Sequence, residues 1–189
     1  MAYYLNELYD FKPCCPQEEQ DKALICACAA AFGQKLLTRD CLPAHITASG
    51  FVVDEKLRKV LMVFHHIYGC WSWTGGHADG ESDLMAVAAR EVAEETGIKS
   101  LTPLSRQPVS MEVLTVEGHT RRGLYVPDHL HLNFTYLFMA SSMDTPRPCP
   151  EENSGAAWLE KDKLWDYCSR EPKMVRLYQK LLGYAEELC

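Results

Sequence analysis

Long apolar runs are missing from this chain. The longest, Ala23 to Phe32, is about half of the roughly 20 residues that a membrane span requires. Met1 to Asp10 has neither the basic start nor the apolar stretch of a signal peptide. Positive charge is scarce, with 19 Lys and Arg against 26 Asp and Glu and a formal net charge of −7. Neutralising many phosphates needs the opposite balance, so neither a stable nucleic-acid complex nor a membrane partner is expected. An anionic substrate would then need a metal ion or a local basic patch. The cysteine count, nine, is odd and comes without an export signal, which argues against a disulfide framework. Cys14 and Cys15, and Cys26 and Cys28, resemble metal pairs, but a zinc site needs four converging ligands and residues two apart on a helix diverge. Free thiols are the reading, and the compartment expected is the cytoplasm. Repeats, low-complexity tracts and linkers are also absent.

What is present is an ordinary globular mixture. The 189 residues, 47% hydrophobic and 24% charged, suit one domain with an appended helix or two. Pro16 to Leu37 reads as a helix with an apolar stripe at Leu24, Ile25, Cys28, Ala31 and Phe32, and Gly33 marks a candidate end. His45 to Val53 and Lys59 to Phe64 read as a hairpin around the polar turn Asp54 to Arg58. Trp71-Ser72-Trp73 alternates into Gly75-Gly76, and a helical pattern follows from Ser82 to Thr96, closed by Gly97. Val109 to Val116, His131 to Ala140 and Ala156 to Leu159 read as strands; Lys161 to Ser169 and Lys173 to Glu187 read as helices. A mixed sheet packed between helices, in an α/β (α+β) fold, accommodates these elements. Residues 1–44 form an N-terminal helical extension in this reading, and residues 45–189 the main domain. The flanking helices are open to three uses: covering the sheet, shaping a substrate pocket, or making a homodimer interface.

The chemistry concentrates on the helix after the glycine pair. Leu84, Val87 and Ala88 make an apolar stripe, and its continuation at 3.6 residues per turn runs into Glu91, Glu94 and Glu95, within an arc of about 100°. Three carboxylates therefore stand where apolar residues belong. Ionised acids taken out of water cost several kcal/mol each without a partner, so a cation is implied. Hard divalent ions that prefer oxygen, Mg²⁺ or Mn²⁺, are the natural choice. Arg90, four residues before Glu94, can orient one of these acids.

The segment Gly75-Gly76-His-Ala-Asp-Gly-Glu81-Ser82 through Arg90-Glu91-Val92-Ala93-Glu94-Glu95-Thr96-Gly97-Ile98 closely resembles the Nudix box, G-x5-E-x7-R-E-U-x-E-E-x-G-U with U apolar. Every fixed position from Arg90 to Ile98 matches. One departs: Ser82 stands where the first glutamate belongs, and Glu81 lies one residue early. The resemblance implies a Nudix-type α/β/α sandwich and a metal-dependent hydrolase that cleaves the phosphoanhydride of a nucleoside diphosphate linked to another moiety. ADP-ribose, nucleotide sugars and nucleoside triphosphates are the substrate classes it points to. It also implies Glu94 and Glu95 as principal Mg²⁺ (or Mn²⁺) ligands, Glu91 as a further ligand or base, a carbonyl oxygen from Gly76, and Arg90 as the orienting residue. In the family a general base often comes from the loop before a strand carrying Trp, which selects Glu152, ahead of Trp158. Substrate contacts are expected from Arg121 and Arg122 as a phosphate grip, from His129 and His131 at a strand entry, and from Trp73 as a stacking ring. The alternative, favoured by Ser82, is a nucleotide-binding sensor module on the same fold without turnover.

Overall fold

The computed structural model describes residues 3–66, 69–121 and 123–189. Its helices are α1 (Tyr3–Asp10), α2 (Pro16–Phe32), α3 (Leu84–Thr96), α4 (Leu164–Tyr167) and α5 (Pro172–Leu188). Its strands are β1 (Ala44–Asp54), β2 (Lys59–His65), β3 (Cys70–Ser72), β4 (Thr74–His77), β5 (Thr102–Pro103), β6 (Ser110–Val116), β7 (His119–Arg121), β8 (Leu124–Val126), β9 (His129–Ala140) and β10 (Asn153–Glu160). The main sheet runs β10-β2-β1-β9-β5, with β3 on β2, β4 on β1 and β6 on β9. Among the described residues only β1 and β9 pair in parallel, along all of β1 from Ala44↔Leu130 to Asp54↔Ala140. The sheet is therefore mixed, as the element pattern requires.

Side chains alternate across β1 and assign each face its cover. Ile46, Ala48 and Val52 join Leu132, Phe134, Tyr136 and Phe138 of β9 under α1, α2 and α3, which contribute Tyr4, Leu8, Ile25, Ala29, Val87, Ala88 and Val92. Phe51 and Val53 face the other way, into a second core with Val60, Met62, Leu137 and Val175, Tyr178 and Leu181 of α5. This is an α/β/α sandwich. The second face turns polar beyond Phe51. Thr47 and Ser49 both donate to Asn133 Oδ1 at 3.0 and 2.9 Å, and Glu112 Oε2 accepts from Asn133 Nδ2 and Thr135 Oγ1 at 3.0 and 2.8 Å. Lys180 of α5 closes the row, 2.8 Å from the buried Glu18 of α2 and 3.7 Å from Glu112. Every buried acid here has a cation or a donor, which is what makes its burial tolerable.

Several differences from the sequence reading have local causes. The long first helix stops at Phe32 and Gly33–Leu37 tightens into a 3-10 turn, since Gly33 takes φ 56. Its buried positions are Glu18, Ile25 and Ala29, while Leu24 and Phe32 are exposed, so the apolar stripe is narrower than expected. Helix α1 carries no expectation at all because it is short. The Trp-rich strand is two strands: β3 pairs with β2 up to Ser72, and β4 crosses to β1 from Thr74 onward. The polar stretch after Val116 holds the hairpin β7–β8, turned at Gly123 with φ 80. The nine cysteines are free thiols, and no helix among the described residues is long and apolar enough to cross a membrane.

Glu7 fastens α1 to the sheet. It is 2% exposed, and its Oε2 accepts from the Tyr136 hydroxyl at 2.9 Å while Oε1 has no partner. Burial, reinforced by the charge of Asp83, pushes its carboxyl from 4.5 up to about 7, against the opposing Tyr136 bond. A folded value above the unfolded one means that this residue's stability contribution is complete below about 4.5 and is lost as pH rises through about 7. Urea midpoints should therefore fall across that window in the wild type. Glu7→Gln should flatten the fall; an unchanged pH slope in the variant contradicts the assignment.

Candidate functional site

The site forms where β4 leaves the sheet and α3 begins. β4 lies on β1 with Gly75 opposite Ser49 and Gly76 opposite Ala48. Asp83 caps α3, its Oδ1 accepting from Ala86 N at 3.0 Å. Gly97 ends the helix in the left-handed conformation, φ 74, with its N–H on Ala93 O at 2.9 Å. Between these caps Leu84, Val87, Ala88, Val92, Glu95 and Thr96 are buried. A side chain at Gly76 would overlap the Glu91 carboxylate, so glycine there is what lets the strand end meet the helix acid.

Glu95 is 3% exposed and its Oε1 accepts the Gly75 N–H at 2.8 Å. Glu91, half-buried, lies one turn earlier, and Glu152 reaches in from the loop before β10. Carboxylate oxygens of these three lie within 4.8 Å of one another. The neighbouring Asn153 is held by its Nδ2 donating to Glu95 O at 3.1 Å, which ties that loop to the helix. Burial, and then the charges of Glu152, Glu91 and Glu94, push Glu95 up to about 8 despite the Gly75 bond. Glu91 is also raised, by burial first, with Arg90 opposing. Three carboxylates so placed repel one another when ionised, and a divalent cation offering charge to oxygen ligands removes both the repulsion and the burial cost. The donor set fits Mg²⁺ or Mn²⁺.

Glu94 stands apart from this group. Its side chain is 57% exposed and meets Arg90 Nε at 3.8 Å. The buried arc of α3 centres between Ala88 and Glu95, and Glu94 lies about 100° round the helix from that centre. Arg90 Nη2 donates to Glu91 Oε1 at 3.1 Å, so it orients Glu91. The missing first box glutamate is not replaced in this arrangement: Glu81 accepts from the backbone N–H of Ser82 and Asp83 at 2.7 and 2.9 Å, capping the start of α3.

The remaining candidates divide. Trp73 is 8% exposed, edge-on to Tyr178 with centroids 5.6 Å apart, and belongs to the second core; it offers no free face to a base. Arg121 ends β7, paired with Leu124, while Arg122 lies outside the described residues. His129 and His131 meet His45 and His77 in one group of imidazoles. Burial, then the Arg39 charge and the neighbouring imidazoles, hold His77 down to about 3, and burial and the neighbouring imidazoles hold His131 to about 2, so both rings are neutral near pH 7. Arg39 carries no motif signal. It grips Asp79 through Nε and Nη2 at 2.8 and 2.7 Å, bracing the turn between Gly76 and α3.

The family model described as NUDIX domain matches residues 43–180. The chain belongs to this family. Two curated relatives, each named "Nucleoside diphosphate-linked moiety X motif 6", come from Homo sapiens and Xenopus laevis. Both are 29% identical, over 152 and 153 residues that make up 75% and 76% of this chain. The alignments span 42% of the human protein and 64% of the frog protein, so this chain covers less than two thirds of either. Among solved structures, a Caenorhabditis elegans Ap4A hydrolase binary complex superposes with a TM-score of 0.57 at 18% identity, over 75% of this chain and 98% of that one. At that identity the likeness is one of fold.

Gly76→Ala tests the joint between strand and helix. The added methyl should displace the Glu91 carboxylate, the far end of a flexible side chain, and weaken Mn²⁺ binding by about tenfold with little change in melting temperature. Titration calorimetry with Mn²⁺ and a thermal melt check this; unaltered Mn²⁺ affinity contradicts it.

Proposed function

We propose that this chain is a divalent-metal-dependent Nudix hydrolase that cleaves the phosphoanhydride of a nucleoside diphosphate linked to another moiety. The observation that carries the reading is the convergence of Glu91, Glu95 and Glu152 within 4.8 Å beside the Gly75–Gly76 strand end. Family membership and the box from Arg90 to Ile98 support it. In this reading Glu91, Glu95 and the Gly76 carbonyl would hold Mg²⁺ or Mn²⁺, with Glu94 as a further candidate ligand. Bound there, the ion would neutralise diphosphate oxygens and acidify a water. Arg90 is a positioning residue: its bond to Glu91 fixes that carboxylate beneath the substrate. In this reading Glu152, exposed at the mouth of the group, takes the proton. Water oxygen bonds to one phosphorus, the bridging P–O bond breaks with its electron pair going to the departing phosphate, and the water proton passes to Glu152.

With Mg²⁺ or Mn²⁺, the purified chain should cleave at least one of ADP-ribose, nucleotide sugars, dinucleoside polyphosphates or nucleoside triphosphates. Glu95→Gln should reduce kcat/KM by about 10²- to 10³-fold. Glu152→Gln should lower kcat while leaving KM largely unmoved. A folded wild type that binds Mn²⁺ and nucleotide but cleaves none of these substrates overturns the hydrolase and favours the sensor module, to which the unreplaced glutamate at Ser82 already points.

A further inference from the structure

Four histidines from three strands close one end of the second sheet face, one residue beyond the carboxylate site. Register brings them there: His45 of β1 lies opposite His131 of β9, and His77 of β4 lies opposite Thr47, the next residue along the same face of β1. His129 lies two residues before His131 and so shares its face. His45 Nε2 is 3.0 Å from His77 Nε2, and His129 Nε2 is 3.3 Å from His131 Nε2. The ligand atoms of His45, His77 and His131 all fall within 4.8 Å of one another. Ring centroids of His45, His77, His129 and His131 are 4.7 to 5.1 Å apart where they meet.

The outer nitrogens are anchored. His45 Nδ1 lies 3.4 Å from Cys41 O and His129 Nδ1 lies 2.9 Å from Pro127 O. Each therefore donates Nδ1–H outward to a carbonyl and keeps its Nε2 lone pair facing inward, the arrangement that fixes a metal-binding tautomer. Asp79, whose charge reaches His45 and His77, is already held by two nitrogens of Arg39. Zn–N bonds of about 2.0–2.1 Å at tetrahedral angles place neighbouring nitrogens about 3.3 Å apart, close to both measured spacings. Imidazole nitrogen suits Zn²⁺, whereas the carboxylates of α3 suit Mg²⁺ and Mn²⁺.

We propose that His45, His77 and His131, flanked by His129, form a second cation site, a nitrogen-lined site for Zn²⁺, separate from the oxygen-lined group of Glu91, Glu95 and Glu152. Its ion pins the ends of β1, β4 and β9 together and holds the strand that delivers Gly75 and Gly76 to α3. This stands on the placement of the rings alone and is independent of the hydrolase reading.

The test is metal content, with no dependence on turnover. The full chain is stripped with chelator, reloaded with Zn²⁺ in excess Mg²⁺, and analysed by elemental analysis and calorimetry. About one Zn²⁺ per chain should remain, be unaffected by Glu95→Gln, and bind more than tenfold more weakly in His77→Gln and His131→Gln. Co²⁺ in its place should give visible bands of a tetrahedral nitrogen site without sulfur charge transfer. No retained Zn²⁺, Zn²⁺ that persists in both histidine variants, or a sulfur charge-transfer band overturns the proposal. If the variants do not fold, histidine ring ¹⁵N shifts of the wild type decide: ring-nitrogen signals of His45, His77 and His131 must move on adding Zn²⁺, and stationary signals overturn it.

Discussion

Three carboxylates within a few ångströms of one another, one of them almost fully buried, set the terms for everything around them. Glu95 has the Gly75 amide as its hydrogen-bond partner, and Glu91 has Arg90. Those contacts fall short of balancing three ionised acids, so burial and mutual repulsion raise Glu95 to about 8. An apolar helix face would pack better. The chemistry of the three acids suits a divalent cation, and the neighbouring structure holds them in place. Asp83 and Gly97 fix the ends of α3, Asn153 ties the Glu152 loop to it, and Gly76 leaves room for Glu91.

The sandwich supports this arrangement from both sides. Its first face presses α3 against β1 through Val87, Ala88 and Val92, which fixes the height of the carboxylates above β4. The second face carries a polar row from Ser110 and Glu112 through Asn133 to Thr47 and Ser49, closed by the Lys180–Glu18 pair. The imidazole group continues that row to the strand ends. Two donor chemistries thus sit on opposite faces of one strand end: oxygen where Gly76 meets α3, nitrogen where His77 meets β1 and β9.

Much of this is legible in the sequence because period and chemistry disagree there. A helix whose apolar stripe runs into Glu91, Glu94 and Glu95 announces a cation site, and the fixed spacing from Arg90 to Ile98 names the family. What periodicity misses is phase. The buried arc of α3 is turned toward Val92, which leaves Glu94 at the rim, while Glu152, a residue far away in sequence, joins Glu91 and Glu95. Register is equally invisible: nothing local announces that His45 faces His131 or that β4 crosses to β1 after Trp73, which is why Trp73 looked available for stacking and is core. Arg39 and the short α1 leave no trace because they act through long-range contacts, Arg39 with Asp79 and α1 through Tyr4, Leu8 and the Glu7–Tyr136 bond.

The central claim is that Glu91 and Glu95 share one divalent cation. Titration of Mn²⁺ into the wild type and into Glu91→Gln and Glu95→Gln, followed by electron paramagnetic resonance of the free ion, tests it most directly. The account predicts one saturable site per chain in the wild type, weakened severely by either substitution in protein that remains folded. A wild type that takes up no Mn²⁺, or equal uptake by all three proteins, would contradict it.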